Sequence, residues 1–216
     1  MEQTKTMDLR KWKSQDALKR SFWQLLLADG YAKLTVRNMT EVSGLNRKTF
    51  YRNYADMEAL MKAAFFDLFV DIASPYSYFR DRRKAADGEF ADCTREYITR
   101  ILANRDLFLA IYQNHLEGYA LEVWKKIFSL ATPHYTVLGN EEHSFLEDAD
   151  SIDLFTNFYT YSTFGHLEWI IRNPDEDIEL LLKKTMDTYA SFLHTYYVSY
   201  GIDKHWPQVA MQTGKL

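Results

Sequence analysis

Asn46, Arg47, Lys48, Thr49, Tyr51, Arg52 and Asn53 fall within a single short segment, with Thr35 and Arg37 shortly before it. Ammonium and guanidinium groups hold phosphate oxygens and hydroxyls add donors to the same oxygens. Guanidinium and amide forks match the base edges of a DNA major groove. The chemistry on offer is recognition of a polyanion rather than bond making. A cationic helix taken alone is more often a solvated face, so the elements that position these side chains decide between the two readings.

Those elements read as two short helices joined by a tight turn. Val36, Met39 and Val42 recur at helical spacing and give the first helix one apolar face, leaving Arg37, Asn38 and Glu41 on the other. Thr35 stands where a cap is needed. Ser43-Gly44 stops the helix, because glycine reaches the left-handed conformation without steric penalty and can redirect the chain. Leu45 fills the corner and Asn46 caps a second helix. Phe50 and Tyr54 lie four apart on its inner face, which leaves Arg47, Lys48, Tyr51, Arg52 and Asn53 to point outward.

This order of residues resembles the TetR family of bacterial transcription regulators. The resemblance is carried by Thr35-Val36, by Val42-Ser43-Gly44-Leu45 at the turn, by Thr49-Phe50-Tyr51 and by Tyr54 followed by Asp56, Glu58 and Leu60. It runs from about Ala17 to about Phe65. The chain departs from the pattern at Asn46-Arg47-Lys48, where small residues around a glycine are common, at Met57, often a lysine, and at Thr40, usually an alanine. The resemblance implies an all-α fold, in which an N-terminal three-helix helix-turn-helix DNA-binding domain (residues 1–55) joins a larger helical ligand-binding and dimerisation domain (residues 56–216). It further implies a homodimer through the two C-terminal helices, about residues 151–200, on a pseudo-palindromic operator of double-stranded DNA. The regulator would be a repressor, released when a small-molecule effector enters the body. Thr35, Arg37 and the run Asn46, Arg47, Lys48, Thr49, Tyr51, Arg52 and Asn53 are then the DNA-binding residues.

Composition agrees with such a division. The 216 residues carry a net charge of −4, yet up to Tyr54 there are 11 Lys and Arg against 5 Asp and Glu, a balance of +6. The remainder has 15 against 25, a balance of −10. A basic quarter on an acidic body offers one face to nucleic acid. Cys93 is the single cysteine, which rules out an intrachain disulfide and fits the cytoplasm. No run approaches the roughly 18 apolar residues of a membrane helix, and Met1 to Arg10 has no signal-peptide core. The six histidines include no pair three to five apart, and there is neither a glycine-rich phosphate loop nor a nucleophile elbow. No metal site, cofactor or catalytic residue is therefore expected.

The rest of the chain reads as helices. Residues up to about Lys13 read as a frayed polar arm whose Arg10, Lys11 and Lys13 reach an adjacent phosphate. Leu18, Phe22, Leu25 and Leu26 then mark a first helix from Ser14 to Asp29. A long helix capped by Asp56 should stop before Pro75, and Arg80, Arg82, Arg83 and Lys84 read as a solvated linker. Further helices follow from Phe90, over Leu107 to His115, and over Ala120 to Leu130 until Thr132-Pro133. His134 to Glu147 is the least regular part. Two long helices close the chain: one bears Ile152, Phe155, Phe158, Ser162, Gly165 and Trp169. The other starts at Asn173-Pro174-Asp175-Glu176, bears Tyr189, Phe192, Leu193 and Tyr196, and ends at Gly201.

Aromatic residues make up 16% of the chain. Phe108, Tyr112, His115, Tyr119, Trp124, Phe158 and Tyr161 are the candidates for walls of an effector pocket. Aromatic stripes at helical spacing more often mean plain core. Two other readings stay open: a DNA-binding regulator whose body senses a partner protein, and a helical enzyme or carrier.

Overall fold

A computed structural model describes residues 2–77, 89–136 and 149–200, with side chains except at 2–8, 77, 89, 131–136, 149, 151, 152, 155, 189, 190 and 192–200. The linker cluster Arg80 to Lys84, the irregular stretch beyond Thr136, the end at Gly201 and the side chains of Ile152, Phe155, Tyr189, Phe192, Leu193 and Tyr196 lie outside the described residues. Within them the chain is helical: α1 (Glu2–Asp29), α2 (Val36–Ser43), α3 (Arg47–Asn53), α4 (Met57–Ser77) and α5 (Glu89–Ala103) come first. They are followed by α6 (Arg105–Gln113), α7 (Glu117–Thr136), α8 (Ala149–Arg172) and α9 (Ile178–Tyr200). The all-α expectation holds, with α1 to α3 as the helix-turn-helix head and α4 leading into a larger helical body.

Apolar spacing explains how the helices pack. Leu18, Phe22, Leu25 and Leu26 line one side of α1 and are buried where it meets α2 and α4. Helix α4 is apolar on most of its girth and sits centrally, against α1, α5 and α7. Its rings link head to body. Phe65 meets Phe22 of α1 edge-on at 6.0 Å and lies 6.4 Å from Phe69. Phe69 in turn stacks on Phe108 of α6 and meets Trp124 of α7 at 5.0 Å. Phe128 and Tyr159 carry the series on to α8.

Several helix limits differ from those expected. Helix α1 begins at Glu2, not Ser14, so Arg10, Lys11 and Lys13 stand on a helix instead of a frayed arm. Helix α4 continues through Pro75 to Ser77. Proline lacks the N–H that would bond the carbonyl four residues back, and Nη1 of Arg100 on α5 supplies that donor to the Asp71 carbonyl at 2.8 Å. Helix α7 likewise runs past Pro133, which stands within its last four residues, and includes His134. At the other closing helix, Asn173 does not cap: its amide donates back to the Trp169 carbonyl. Asp177 caps α9 instead, its Oδ1 accepting from the Glu179 and Leu180 N–H groups. Val42, assigned to the apolar face of α2, is 39% exposed, and Thr40 is the residue turned inward beside Met39.

Candidate nucleic-acid interface

The corner between α2 and α3 is built from local hydrogen bonds that its sequence dictates. Thr35 has extended backbone and its Oγ1 accepts from the Asn38 N–H at 3.2 Å. At the other end Gly44 takes φ 67° and ψ 17°. That left-handed turn lets the Leu45 N–H reach back to the Thr40 carbonyl at 3.1 Å, the bond pattern that closes a helix on glycine. Leu45 packs against the core. Asn46 then caps α3, its Oδ1 accepting from the Thr49 N–H at 2.8 Å. Phe50 is fully buried and Tyr54 nearly so; burial pushes the Tyr54 phenol up to about 12.

With Phe50 anchored, the opposite side of α3 is forced outward. Arg47, Lys48, Tyr51 and Arg52 are all exposed, and no acidic side chain stands among them. Tyr51 lies edge-on to Phe50 at 5.4 Å and is 57% exposed. Asn46 is exposed too and Thr49 half-buried. Arg37 projects from α2 with its Nε 2.9 Å from Oε1 of Glu41, a pairing that raises the guanidinium pKa. Asn53 is the exception. Its amide turns into the fold, donating to Ser14 Oγ at 3.2 Å and to the Thr49 carbonyl at 2.8 Å. The expectation that Asn53 faces DNA is therefore corrected: it ties α3 to α1. Sequence reasoning misses Ser14, although its place one turn before Leu18 on the buried stripe is a usable signal.

The head is also pinned to the body. Gly30, which ends α1, takes φ 77° and ψ 171°, and the Tyr31 N–H beyond it donates to Oδ1 of Asn114 at 2.7 Å. Asn114 stands in the α6–α7 corner, next to His115 at φ 56°. On α4, Lys62 reaches Glu122 of α7 at 2.8 Å and Glu58 at 2.9 Å, and lies 5.5 Å over the Tyr119 ring.

The seven aromatic and imidazole residues considered for an effector pocket do not converge on one. Phe108 and Trp124 are core, and Trp124 Nε1 donates to Thr163 Oγ1 at 3.0 Å. His115 is exposed at its corner and Tyr119 lies under Lys62. Phe158 and Tyr161 are 53% and 61% exposed on α8. Tyr112 alone is half-buried with its hydroxyl enclosed and without a hydrogen-bond partner, and burial moves it up to about 12. The separation has a simple cause: these residues sit at positions of α6, α7 and α8 that face different neighbours. A surface cleft of about 270 Å³ lies elsewhere, between α1, α4 and α6, with Trp23 and Leu107 among its walls. Among the described residues no cluster of His, Cys, Asp and Glu could hold a metal ion, and no helix is long and apolar enough to cross a membrane.

This architecture can be matched to solved structures. The fatty acid degradation regulator FadR from Bacillus halodurans superposes with a TM-score of 0.53 at 16% identity, over 79% of this chain and 90% of that one. The chain shares the fold of that regulator. A second structure, the TetR family repressor AlkX from Dietzia sp. strain DQ12-45-1b, implicated in biodegradation of n-alkanes, matches with a TM-score of 0.47. Identity is then 19%, over 84% of this chain and 96% of that one. No protein-family model and no curated protein sequence matches the chain.

Proposed function

We propose that the chain is a DNA-binding transcription regulator of the TetR type, acting as a repressor. The observation that carries this reading is the outer side of α3: three cations and a phenol held outward by Phe50 and by the cap on Asn46. Arg47, Lys48 and Arg52 meet phosphates or base edges, and Tyr51, Thr49 and Thr35 add hydroxyls. Arg37 joins them by exchanging its exposed partner Glu41 for a phosphate, since such surface pairs contribute little. The head is taken as residues 1–55 and the body as 56–216.

One seven-residue helix reaches few bases, so the regulator acts as a homodimer with heads about 34–36 Å apart on successive turns of the duplex. Support comes from α8. Leu154, Phe158, Tyr161 and Trp169 recur on one side of that helix and are 72%, 53%, 61% and 36% exposed. Gly165 lies on the same stripe, where an added Cβ would meet no atom within 4 Å. An exposed stripe with a small residue at its middle suits close approach of the partner's helix. Phe158 and Tyr161 are therefore assigned to the dimer face and not to an effector pocket. For the effector we retain Tyr112: its hydroxyl and Oε2 of Glu117 are both buried without protein partners, the kind of oxygens a small polar ligand would satisfy.

Selection of bound duplexes from randomised DNA tests the reading. The expected product is an inverted repeat, bound by the wild-type protein and not by Lys48→Ala/Arg52→Ala, whose helical spectrum and dimer are unchanged. Unaltered affinity in that variant refutes it.

A further inference from the structure

The buried stripe of α1 runs Ser14, Leu18, Ser21, Phe22 and Leu25. Three and four residues before Ser14, along the same face, stand Lys11 and Arg10. Towards the start of α1, the side that leans on its neighbours thus changes from apolar to cationic. Both residues are exposed, and so are Leu9, Trp12 and Lys13 around them. No acidic residue occurs between Leu9 and Gln15.

Their position relative to α3 is fixed by a hydrogen-bond relay. The Asn53 amide donates to Ser14 Oγ at 3.2 Å, and Ser14 Oγ donates to the Lys11 carbonyl at 2.8 Å. The last residue of α3 is thereby tied to the backbone of Lys11 itself. At about 1.5 Å of rise per residue, Lys11 and Arg10 stand roughly 4.5–6 Å further along α1 than Ser14, within a long side chain's reach of the end of α3. The helix is continuous there, so the two cations are held at a fixed offset and not on a loose arm.

We propose that Arg10 and Lys11 form a second phosphate-binding element, gripping the DNA backbone that flanks each half-site. The proposal rests on the DNA-binding reading above and adds residues outside the helix-turn-helix. Charge selects the occupant: two exposed cations on the side of α1 that is tied to the end of α3 suit a phosphodiester chain. Trp12, on the opposite side of α1 and 59% exposed, takes no part.

The test uses the full-length protein and the duplex selected by it, with long or trimmed flanks, titrated over a range of salt concentrations. In Arg10→Gln/Lys11→Gln, affinity for the long duplex should fall about tenfold at physiological salt. The slope of log affinity against log salt should fall by about 2 per protomer, near 0.9 for each phosphate no longer neutralised. Trimming the flanks should erase the difference from wild type. Glutamine keeps helix propensity, and circular dichroism confirms that α1 is retained. Wild-type affinity and slope in this variant on the long duplex overturn the proposal while Lys48→Ala/Arg52→Ala still fails to bind, leaving the DNA-binding reading in place. An equal loss on trimmed duplex, or a loss seen only with anionic lipid vesicles and not with DNA, also overturns it. Absence of any duplex binding by wild type removes both readings together.

Discussion

Replacing Gly30 with alanine probes the pin between head and body directly. The backbone there, φ 77° and ψ 171°, lies in a region open essentially to glycine, and an alanine forced into it costs about 1–3 kcal/mol. The new methyl would also come within 3.0 Å of Oδ1 of Asn114. That oxygen accepts from the Tyr31 N–H at 2.7 Å while the same amide donates to the Ala110 carbonyl at 2.8 Å, so it cannot swing aside without losing a bond. One such bond is worth about 1 kcal/mol, which brings the expected loss to roughly 2–4 kcal/mol. In a chain of this length that corresponds to about 5–15 °C in Tm. Urea unfolding at one fixed protein concentration reads the same quantity as a shift in midpoint. Repeating Gly30→Ala in an Asn114→Ala background separates the two causes. With the amide gone the crowding vanishes, and the substitution should then cost only its backbone part, leaving a coupling of about 1 kcal/mol. A loss below about 0.5 kcal/mol for Gly30→Ala would refute the account of this corner, and strict additivity would refute the role given to Asn114.

Three further outcomes follow from other sites. Arg100→Met leaves the Asp71 carbonyl without the donor that Pro75 denies it, at a loss of about 0.5–1.5 kcal/mol at this exposed bond; adding Pro75→Ala restores an N–H at that place and should recover part of it in the same unfolding assay. Asn46→Ala removes the cap of α3 and should destabilise the protein by about 1 kcal/mol, with weaker DNA binding in a gel shift although no exposed cation has changed. His166 is held down to about 4 by burial, between the rings of Tyr97 and Trp169 and 2.9 Å from Thr185 Oγ1. Because its pKa is lower in the folded state, the unfolded chain binds the proton first. The stability this histidine contributes is then complete above about pH 6.5 and is lost as pH falls towards 4, by up to about 3 kcal/mol. His166→Phe should flatten that part of the pH profile.

What the sequence discloses and what it conceals divide by the distance to the partner. Thr35, Gly44 and Asn46 satisfy groups within five residues of themselves, so their residue types alone announce the corner, and Phe50 with Tyr54 fixes which side of α3 faces out. Asn53 misleads because its partner, Ser14, lies 39 residues away, and an amide on a short helix looks the same whether it points to solvent or to another helix. Pro75 reads as a stop for the same reason. The donor that lets the helix pass it comes from Arg100, 29 residues from the accepting Asp71. At Asn173 the local pattern is strong and still loses, since Asp177 offers the same cap four residues later with its Oδ1 on two N–H groups.

The aromatic residues show a deeper reason why the body is harder to read than the head. Periodicity tells that Phe108 and Trp124 face inward, but not which helix they meet. In the structure they close on Phe69, whose neighbour along α4 is Phe65, and Phe65 in turn meets Phe22 of α1. The buried side chains on both sides of residue 55 form one cluster, so the division into head and body is one of chain order more than of packing. Rings in van der Waals contact fill their space in only a few arrangements. A displacement of α6 or α7 against α4 would therefore be felt at Phe22 and at the base of the helix-turn-helix. The pin through Asn114 acts in parallel with this ring series, from the α6–α7 corner to the end of α1. Two separate links from the same two helices thus converge on α1, which itself packs against α2 and α3.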